Sequence, residues 1–529
     1  MLGYALATIV ASVSFLYCFV LPVIEYFRDP KGLRRFPALD SFAGITNISF
    51  MIQSHRGFRS KKLAELHKQH PVIRTGPKSL SFGDAQAIKV RWVHFHHLQS
   101  NKLTRNRIFT ATTQNVQRMG NTSSRQELTI ISPMLSIKAI MVVSARSSQR
   151  LMHSRIWKSG NSKSQIKRLV SSNTSICCAS IPGTTVDYRA WTNFFSLDAI
   201  ADIGLSKRLG FLDVGHDGCI SEKPDGTISE VNFRECLYAV ARGQSGIVWS
   251  YDWYKTLVKI TNLISPWYRH LWRLNDGWDG IVLHLAKERL QRYNTGEKLD
   301  DFFTSLMQDK SGRPQSLEWG EIVAEVSIMM NAGSTTTAIA MANVMYQLLR
   351  NPNCMERLRG EIDAVLQPDE VVVPYEKVRH LPYLRACLDE SMRLYPPTAH
   401  GLPRITPPEG WSIRGDLIAG GTTVSISAFV AHRDEKIFPE AEVYNPERWL
   451  GEEGKALQPY FVAFSAGARG CIGRNISYLE QTVLLASVLH RYEFQLPHPN
   501  WEPERRETMN LHLGSMPLVV RKREIETQE

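Results

Sequence analysis

Apolar residues recur at helical spacing in most of this chain and alternate with polar residues in only a few short stretches. Residues 321–349 and 381–394 show the helical period over several turns, which predicts two helices that each bury one face. Residues 72–76 and 79–82 read as two short strands, and residues 416–433 read as a hairpin that turns at a Gly-Gly pair. The pattern predicts a mainly α-helical fold with a small β-rich lobe.

The start of the chain is apolar enough to enter a membrane. Residues 2–24 carry no charge and are long enough to cross a hydrocarbon core as a helix. Four basic residues follow between positions 28 and 35, which favours a cytosolic location for everything after them. We expect residues 1–27 to be a single-pass anchor in the endoplasmic reticulum membrane and residues 28–35 a basic linker. A cleavable signal peptide is the alternative, although no basic residue precedes the apolar run.

The formal charge of +12 is concentrated in one segment. Residues 91–185 contain 14 Lys or Arg and a single acid, Glu127, and they lack apolar periodicity. A mis-spliced or frame-shifted stretch and a natural divergent insertion both explain this composition. Little aromatic interleaving accompanies the basic residues, so nucleic acid is not an expected partner. The eight cysteines have no paired spacing, which indicates a reducing compartment.

The richest motif runs from Phe464 to Gly473 and reads Phe-Ser-Ala-Gly-Ala-Arg-Gly-Cys-Ile-Gly. Its Cys471 precedes an amphipathic segment, so peptide dipoles at a helix N-terminus would favour the thiolate. Glycines at 467 and 473 allow a tight turn and a close approach to a flat cofactor. Arg469 offers a forked guanidinium to a carboxylate. A thiolate under a flat macrocycle is what a haem iron uses to cleave dioxygen.

This stretch resembles the haem-binding loop of the cytochrome P450 family, and three further segments match that family in order and spacing. The resemblance covers residues ~36–90 and ~186–524, with a texture similar to fungal members such as benzoate 4-hydroxylase and pisatin demethylase. It implies one haem-thiolate monooxygenase domain over residues 36–524. It also implies that Cys471 is the metal ligand, and that the haem is held by Phe464, Gly467, Arg469, Gly473 and Arg404.

The predicted helix over residues 321–349 contains Ala-Gly-Ser-Thr-Thr-Thr at 332–337. Glycine and hydroxyl side chains are poor helix formers, so their place in mid-helix needs a reason. The resemblance implies an opened groove where dioxygen lies against the haem, with Thr336 assisting O–O cleavage. Many family members carry an acid at the preceding position. Here that position is Thr335, which relays a proton less directly.

Two further motifs imply a charge network. Glu390 and Arg393 lie three residues apart on the predicted helix over residues 381–394, a spacing that by itself predicts a solvated ion pair. The resemblance adds Arg448 from the Pro-Glu-Arg-Trp segment as a third partner. It implies that the three residues form a buried network that braces the haem loop rather than taking part in chemistry.

The resemblance implies a monooxygenase that inserts one atom of O2 into a small organic substrate. Because no flavin or dinucleotide fingerprint follows residue 524, a separate NADPH-cytochrome P450 reductase is the expected partner. A haem-thiolate isomerase or dehydratase would use the same cysteine but is expected to lack the Thr336 hydroxyl. A catalytically impaired haem protein is the other alternative, because of residues 91–185. The analogy to fungal members suggests an aromatic or secondary-metabolite substrate.

Overall fold

The structure of the chain is a computed structural model that describes residue 12 and residues 16–89, 185–250, 253–309, 311–370 and 372–524. Its α-helices are α1 Leu21–Arg28, α2 Ile48–Arg56, α3 Arg59–His67, α4 Tyr188–Leu205, α5 Phe211–Val214, α6 Phe233–Ile247, α7 Tyr254–Ile264, α8 Pro266–Asn294, α9 Phe302–Met307, α10 Trp319–Arg350, α11 Pro352–Asp363, α12 Tyr375–Val378, α13 Pro382–Leu394, α14 Ala428–Ala431, α15 Gly451–Leu457 and α16 Arg474–Arg491. Its strands are β1 Val72–Gly76, β2 Ser79–Phe82, β3 Thr185–Asp187, β4 Gly218–Glu222, β5 Ile228–Asn232, β6 Arg404–Ile405, β7 Trp411–Ile413, β8 Asp416–Ile418, β9 Thr423–Ile426, β10 Tyr492–Gln495, β11 Arg505–Glu507, β12 Leu511–Leu513 and β13 Pro517–Lys522. The predicted fold class, mainly α with small sheets, is confirmed within these residues.

Helix α10 joins the two main hydrophobic cores of the helical part. Its N-terminus is held by a capping box in which the side chains of Glu318 and Glu321 each accept from the other's backbone N–H. The N-terminal half packs with α4 and α8, and the C-terminal half packs with α13 and α16. Both long helices predicted from the apolar period end within two residues of their observed bounds. The helix that carries the candidate dioxygen groove therefore lies between these cores.

The β-rich lobe is a four-stranded sheet with strand order β1-β2-β9-β6. Strands β1 and β2 form the predicted antiparallel pair, and β2 runs parallel to β9 with Ser79 opposite Thr423. Its core contains the buried side chains of Leu33, Val72 and Val424. A parallel pair needs a long crossover. Residues far apart in sequence therefore meet in this lobe.

The predicted hairpin over residues 416–433 is wrong. Strand β8 pairs antiparallel with the preceding strand β7 and not with β9. Strand β9 instead lies between β2 and β6 in the four-stranded sheet. Gly420 of the Gly-Gly pair is instead required by close packing, since a Cβ at this position would lie 2.1 Å from the carbonyl oxygen of Pro408. Glycine is needed there because two backbone segments approach closely.

Fourteen of the 27 residues of the predicted membrane anchor lie outside the described residues. The part that is described forms a π-helical turn, Leu16–Val20, followed by α1. No helix within the described ranges is long and apolar enough to span a bilayer. Residues 29–36 lie on the β-rich lobe, where Leu33 is buried and Arg35 donates to the carbonyl of Leu417 at 2.8 Å.

The basic segment 91–185 also lies outside the described residues, apart from Thr185. That residue begins β3, which pairs antiparallel with β13 near the end of the chain. The two explanations of this segment, divergence and mis-splicing, stay as predictions.

Candidate active site

The Cys471 loop is a tight turn between the 3-10 turn Gln458–Tyr460 and α16. Ser465 and Gly467 adopt left-handed backbone angles, with φ of 57° and 63°. The N–H of Cys471 donates to the carbonyl of Phe464 at 2.7 Å and closes the loop. Helix α16 then begins, with Gly473 at its N-cap. A Cβ added at Gly473 would lie 4.0 Å from the Cys471 Sγ, which is an ordinary van der Waals distance.

Cys471 has an accessible side chain whose protonation is governed by two opposed effects. The protein packed around the thiol raises its pKa, and the backbone N–H groups of Gly473 and Arg474 lower it by bonding to the sulfur. The net pKa is raised. The predicted dipole effect therefore has the expected direction but is outweighed by burial. A metal cation bound at Sγ would supply the charge that makes the thiolate stable.

The guanidinium of Arg469, within the loop, lies near that of Arg404, and both groups have perturbed pKa values. Burial lowers the pKa of Arg404, and the positive charge of Arg469 lowers it further. Burial also lowers the pKa of Arg469. Arg404 donates to the carbonyl of Pro403 at 3.0 Å. Two neighbouring cations are stabilised by an anion, and a haem carries two propionates, so the pair and the accessible thiol fit a haem.

Phe464 has a packing role in the structure. Its ring meets the ring of Tyr478 at a centroid distance of 5.0 Å, and the guanidinium of Arg474 lies 5.8 Å from its centroid. These contacts tie the first residue of the loop to the helix that follows Cys471. The loop is thus fastened at both ends to α16.

The predicted dioxygen groove lies on an uninterrupted helix, since α10 continues through residues 332–337. Thr336 is half-buried, and its Oγ1 donates to the carbonyl of Ala332 at 2.8 Å. Thr335 is buried, and its hydroxyl has no hydrogen-bond partner among the described residues. The two threonines therefore have different surroundings, and Thr336 is the one with a partly open side chain.

Gly333 has a packing reason that the sequence did not reveal. A Cβ at this position would lie 2.5 Å from the Cγ1 of Ile200 on α4. Close contact between α4 and α10 therefore requires the glycine. About one helical turn after Gly333, the hydroxyl of Thr337 donates a hydrogen bond to the hydroxyl of Ser477 on α16 at 2.9 Å. This contact links the threonine segment to the helix that follows Cys471.

The structure brings Glu390, Arg393 and Arg448 together in a buried network. The guanidinium of Arg393 donates two hydrogen bonds, of 2.8 and 2.9 Å, to the carboxylate of Glu390, and both side chains are fully buried. Arg448 donates to the same carboxylate at 3.1 Å. The indole of Trp449 donates to it at 2.8 Å and the N–H of Asn445 at 2.9 Å. Five donors on one carboxylate offset the cost of burying its charge.

His432 connects this network to the Cys471 loop. Its Nδ1 lies 3.2 Å from the carbonyl oxygen of Arg393, and its Nε2 accepts from the N–H of Val462 at 2.9 Å. Burial, and then the charge of Arg393, lowers the pKa of His432 to about 3, so the ring is neutral. Val462 is two residues before Phe464. Neither His432 nor the Trp449 donor was found from sequence, because a lone histidine or tryptophan carries no spacing signal.

Comparison with known proteins identifies the family. The sequence model of the family described as Cytochrome P450 matches residues 129–520. Benzoate 4-monooxygenase bphA of Aspergillus niger is 28% identical over 504 residues, which are 91% of this chain and 92% of that protein. Cytochrome P450 monooxygenase cicH of Emericella nidulans is 30% identical over 347 residues, 61% of this chain and 63% of that protein.

A solved structure supports the same fold. A crystal structure of a cytochrome P450 aligns with a TM-score of 0.60 at 19% identity, covering 89% of this chain and 96% of its own. The matched range 129–520 spans the positions of Cys471, Thr336 and Glu390. The chain therefore belongs to the cytochrome P450 family of monooxygenases.

Proposed function

We propose that the chain binds haem through Cys471 and inserts one atom of O2 into an aromatic or secondary-metabolite substrate, with electrons from NADPH-cytochrome P450 reductase. The observation that carries the proposal is the accessible Cys471 thiol, which accepts two backbone N–H groups and follows Arg469, whose guanidinium lies near that of Arg404. Haem, when bound, supplies the redox centre at which O2 is activated. Cys471 would ligate the haem iron, and Arg404 and Arg469 would bind the two propionates.

Thr336 is the residue that we assign to proton handling. Its Oγ1 donates to Ala332 and can exchange that bond for one to a reacting oxygen. An isomerase or dehydratase would not need this hydroxyl, so its retention favours oxygen insertion. Thr335 carries no ionisable proton, and its hydroxyl relays protons only through water.

An aromatic substrate is supported by a relative. The Aspergillus niger relative is a benzoate 4-monooxygenase. We infer that this chain accepts a related aromatic compound. Incubation with reductase, NADPH and a panel of substituted benzoates and phenols should give hydroxylated products in mass spectrometry. Turnover of aliphatic compounds alone would refute the aromatic assignment.

We also propose that the protein is anchored in the endoplasmic reticulum membrane with its catalytic domain in the cytosol. Support comes from exposed apolar side chains on α1 and α7, neither of which has a buried residue. Phe27 is 64% exposed and Leu263 is 76% exposed. Residues 1–27 are the proposed span. Full-length protein should stay in the membrane pellet after alkaline carbonate extraction, and complete release into the supernatant would refute the anchor.

The test of haem ligation is Cys471→Ala. Reduced wild-type protein with carbon monoxide should have the strongly red-shifted Soret band of a thiolate-bound haem, and the variant should lose it. The control is Cys354→Ala, which removes a cysteine outside the loop. A thiolate spectrum that survives in Cys471→Ala would overturn the assignment.

A further inference from the structure

A second concave site lies between α2, α6, the start of α8 and β11, and it shares no lining residue with the Cys471 loop. Its cavity volume is about 490 Å³. The described residues that line it are His55, Arg242, Ser265, Trp267, Tyr268 and Arg506. A cavity of this size suits a small organic ligand.

The charge of the cavity is positive. Arg242 and Arg506 line it, and none of the six described lining residues is an acid. Neither arginine forms an ion pair with a described residue, and the guanidinium of Arg506 donates to the backbone carbonyl of His55 at 3.4 Å. Two guanidinium groups at one concave surface favour a carboxylate or phosphate, which each fork can bind through parallel hydrogen bonds.

The lining is held in place by glycine contacts. A Cβ at Gly57 would lie 3.0 Å from the Cγ of Arg506, and a Cβ at Gly246 would lie 3.2 Å from the hydroxyl of Tyr268. Glycine at both positions lets these side chains pack directly on the backbone of their neighbours. This packing restricts the side chains of Arg506 and Tyr268, which reduces the conformational entropy that they lose when a ligand binds.

Aromatic rings form the other wall. Trp267 is 41% exposed, and its ring meets those of His55 and Tyr268 at centroid distances of 5.5 and 4.8 Å. Tyr268 in turn stacks on Trp272 at 6.0 Å. A row of rings with one exposed end offers a flat apolar surface next to the two cations.

We propose that this cavity binds an organic anion, a carboxylate or phosphate carried on an apolar ring-bearing body. Arg242 and Arg506 bind the anionic group, and Trp267 and Tyr268 contact the ring. The site needs no turnover at Cys471, so it is tested by binding alone and stands apart from the proposed function.

The test is calorimetric titration of biphenyl-4-carboxylate into full-length wild-type protein and into the double variant Arg242→Gln/Arg506→Gln. We expect binding at the cavity to weaken about tenfold or more in the double variant, because two charge-assisted contacts are lost. The matched control is Arg56→Gln, an exposed arginine on α2 outside the lining. Biphenyl-4-carboxamide, which is neutral, should bind both proteins equally. Any binding next to the haem is followed separately by the Soret shift, which the double variant should preserve.

A second arm separates a soluble anion from a lipid headgroup. Vesicles of phosphatidylserine and phosphatidylcholine are tested for binding against the same three proteins. A loss in the vesicle arm alone would identify the anion as a lipid headgroup and would overturn the ring-bearing ligand. Equal affinity of wild type and double variant in both arms would overturn the proposal.

Discussion

At the scale of single residues, neighbouring threonines on α10 are predicted to behave differently. Thr336 keeps a hydrogen bond to the carbonyl four residues earlier and remains partly open. Thr335 buries a hydroxyl that has no partner among the described residues. A buried hydroxyl without a partner costs about 1–3 kcal/mol of stability. Thr336 is therefore suited to a role in catalysis, and the unpaired hydroxyl of Thr335 destabilises the fold.

The substitution Thr336→Ala should uncouple the enzyme. NADPH consumption is expected to continue while product falls and hydrogen peroxide rises, because the hydroxyl that holds a proton near the reacting oxygen is gone. The measurement is product and peroxide per NADPH with a substrate that the wild type turns over. Equal product per NADPH in wild type and variant would remove Thr336 from the mechanism.

The substitution Thr335→Val should stabilise the protein. Valine has the same shape without the unsatisfied hydroxyl, so the free energy of unfolding should rise by about 1 kcal/mol. Urea denaturation measures this change, and the coupling ratio should stay closer to wild type than in Thr336→Ala. Stronger uncoupling in Thr335→Val than in Thr336→Ala would mean that the roles of the two positions are reversed.

At the scale of elements, α13 and the loop around Trp449 act as one support for the Cys471 loop. Glu390 receives donors from both, and Arg393 also donates to the carbonyls of His432 and Ala441 at 2.8 and 2.7 Å. His432 connects this support to the start of the Cys471 loop, because its Nε2 accepts a hydrogen bond from the N–H of Val462. Removing one member of a buried charged network leaves the others with unsatisfied charge, which costs several kcal/mol.

The substitution Trp449→Phe tests this support with little change in packing. Phenylalanine keeps the ring but removes the indole N–H that donates to Glu390, so the free energy of unfolding should fall by about 1.5–3 kcal/mol. Haem transfer from the variant to apomyoglobin should also be faster. The control Glu452→Gln removes a surface ion pair with Lys455 and should change neither quantity. Wild-type stability in Trp449→Phe would show that the indole bond contributes little.

At the scale of the whole molecule, several buried histidines are neutral in the folded protein. Burial lowers the pKa of His67 to about 4 and that of His512 to about 3, and it lowers the pKa of His400 well below its ordinary value. In the unfolded chain these groups regain a pKa near 6.5. Below about pH 6.5 these histidines therefore become protonated in the unfolded state but stay neutral in the folded state. Above that pH these histidines are neutral in both states and do not change the free energy of unfolding, and below it they lower that free energy progressively.

The substitution His67→Gln isolates one such contribution. Glutamine can replace the ring's contacts with the carbonyl of His70 and the hydroxyl of Ser81, both at 2.9 Å. Between pH 7.5 and 5.5 the wild type should lose about 1.4 kcal/mol more free energy of unfolding than the variant. The control is His498→Gln, at an exposed position. Parallel pH profiles for wild type and His67→Gln would contradict the lowered pKa.

The sequence by itself determined the elements whose signals are local. The helices α10 and α13 and the strands β1 and β2 followed from periodicity, because spacing along the chain decides them. The haem stays a prediction from the motif around Cys471 and its family resemblance. The partners of Glu390 were expected only through resemblance, since i, i+3 spacing alone indicates a surface pair.

Tertiary structure decided what depends on residues distant in sequence. It paired β9 with β2, set Gly333 against Ile200, and joined His432 to both the network and the loop. It also decided the balance of effects at Cys471, because burial depends on every segment packed around the sulfur and a motif reports only its own backbone amides. The cavity lined by Arg242 and Arg506 belongs to the same class, since no local pattern connects residues 264 positions apart.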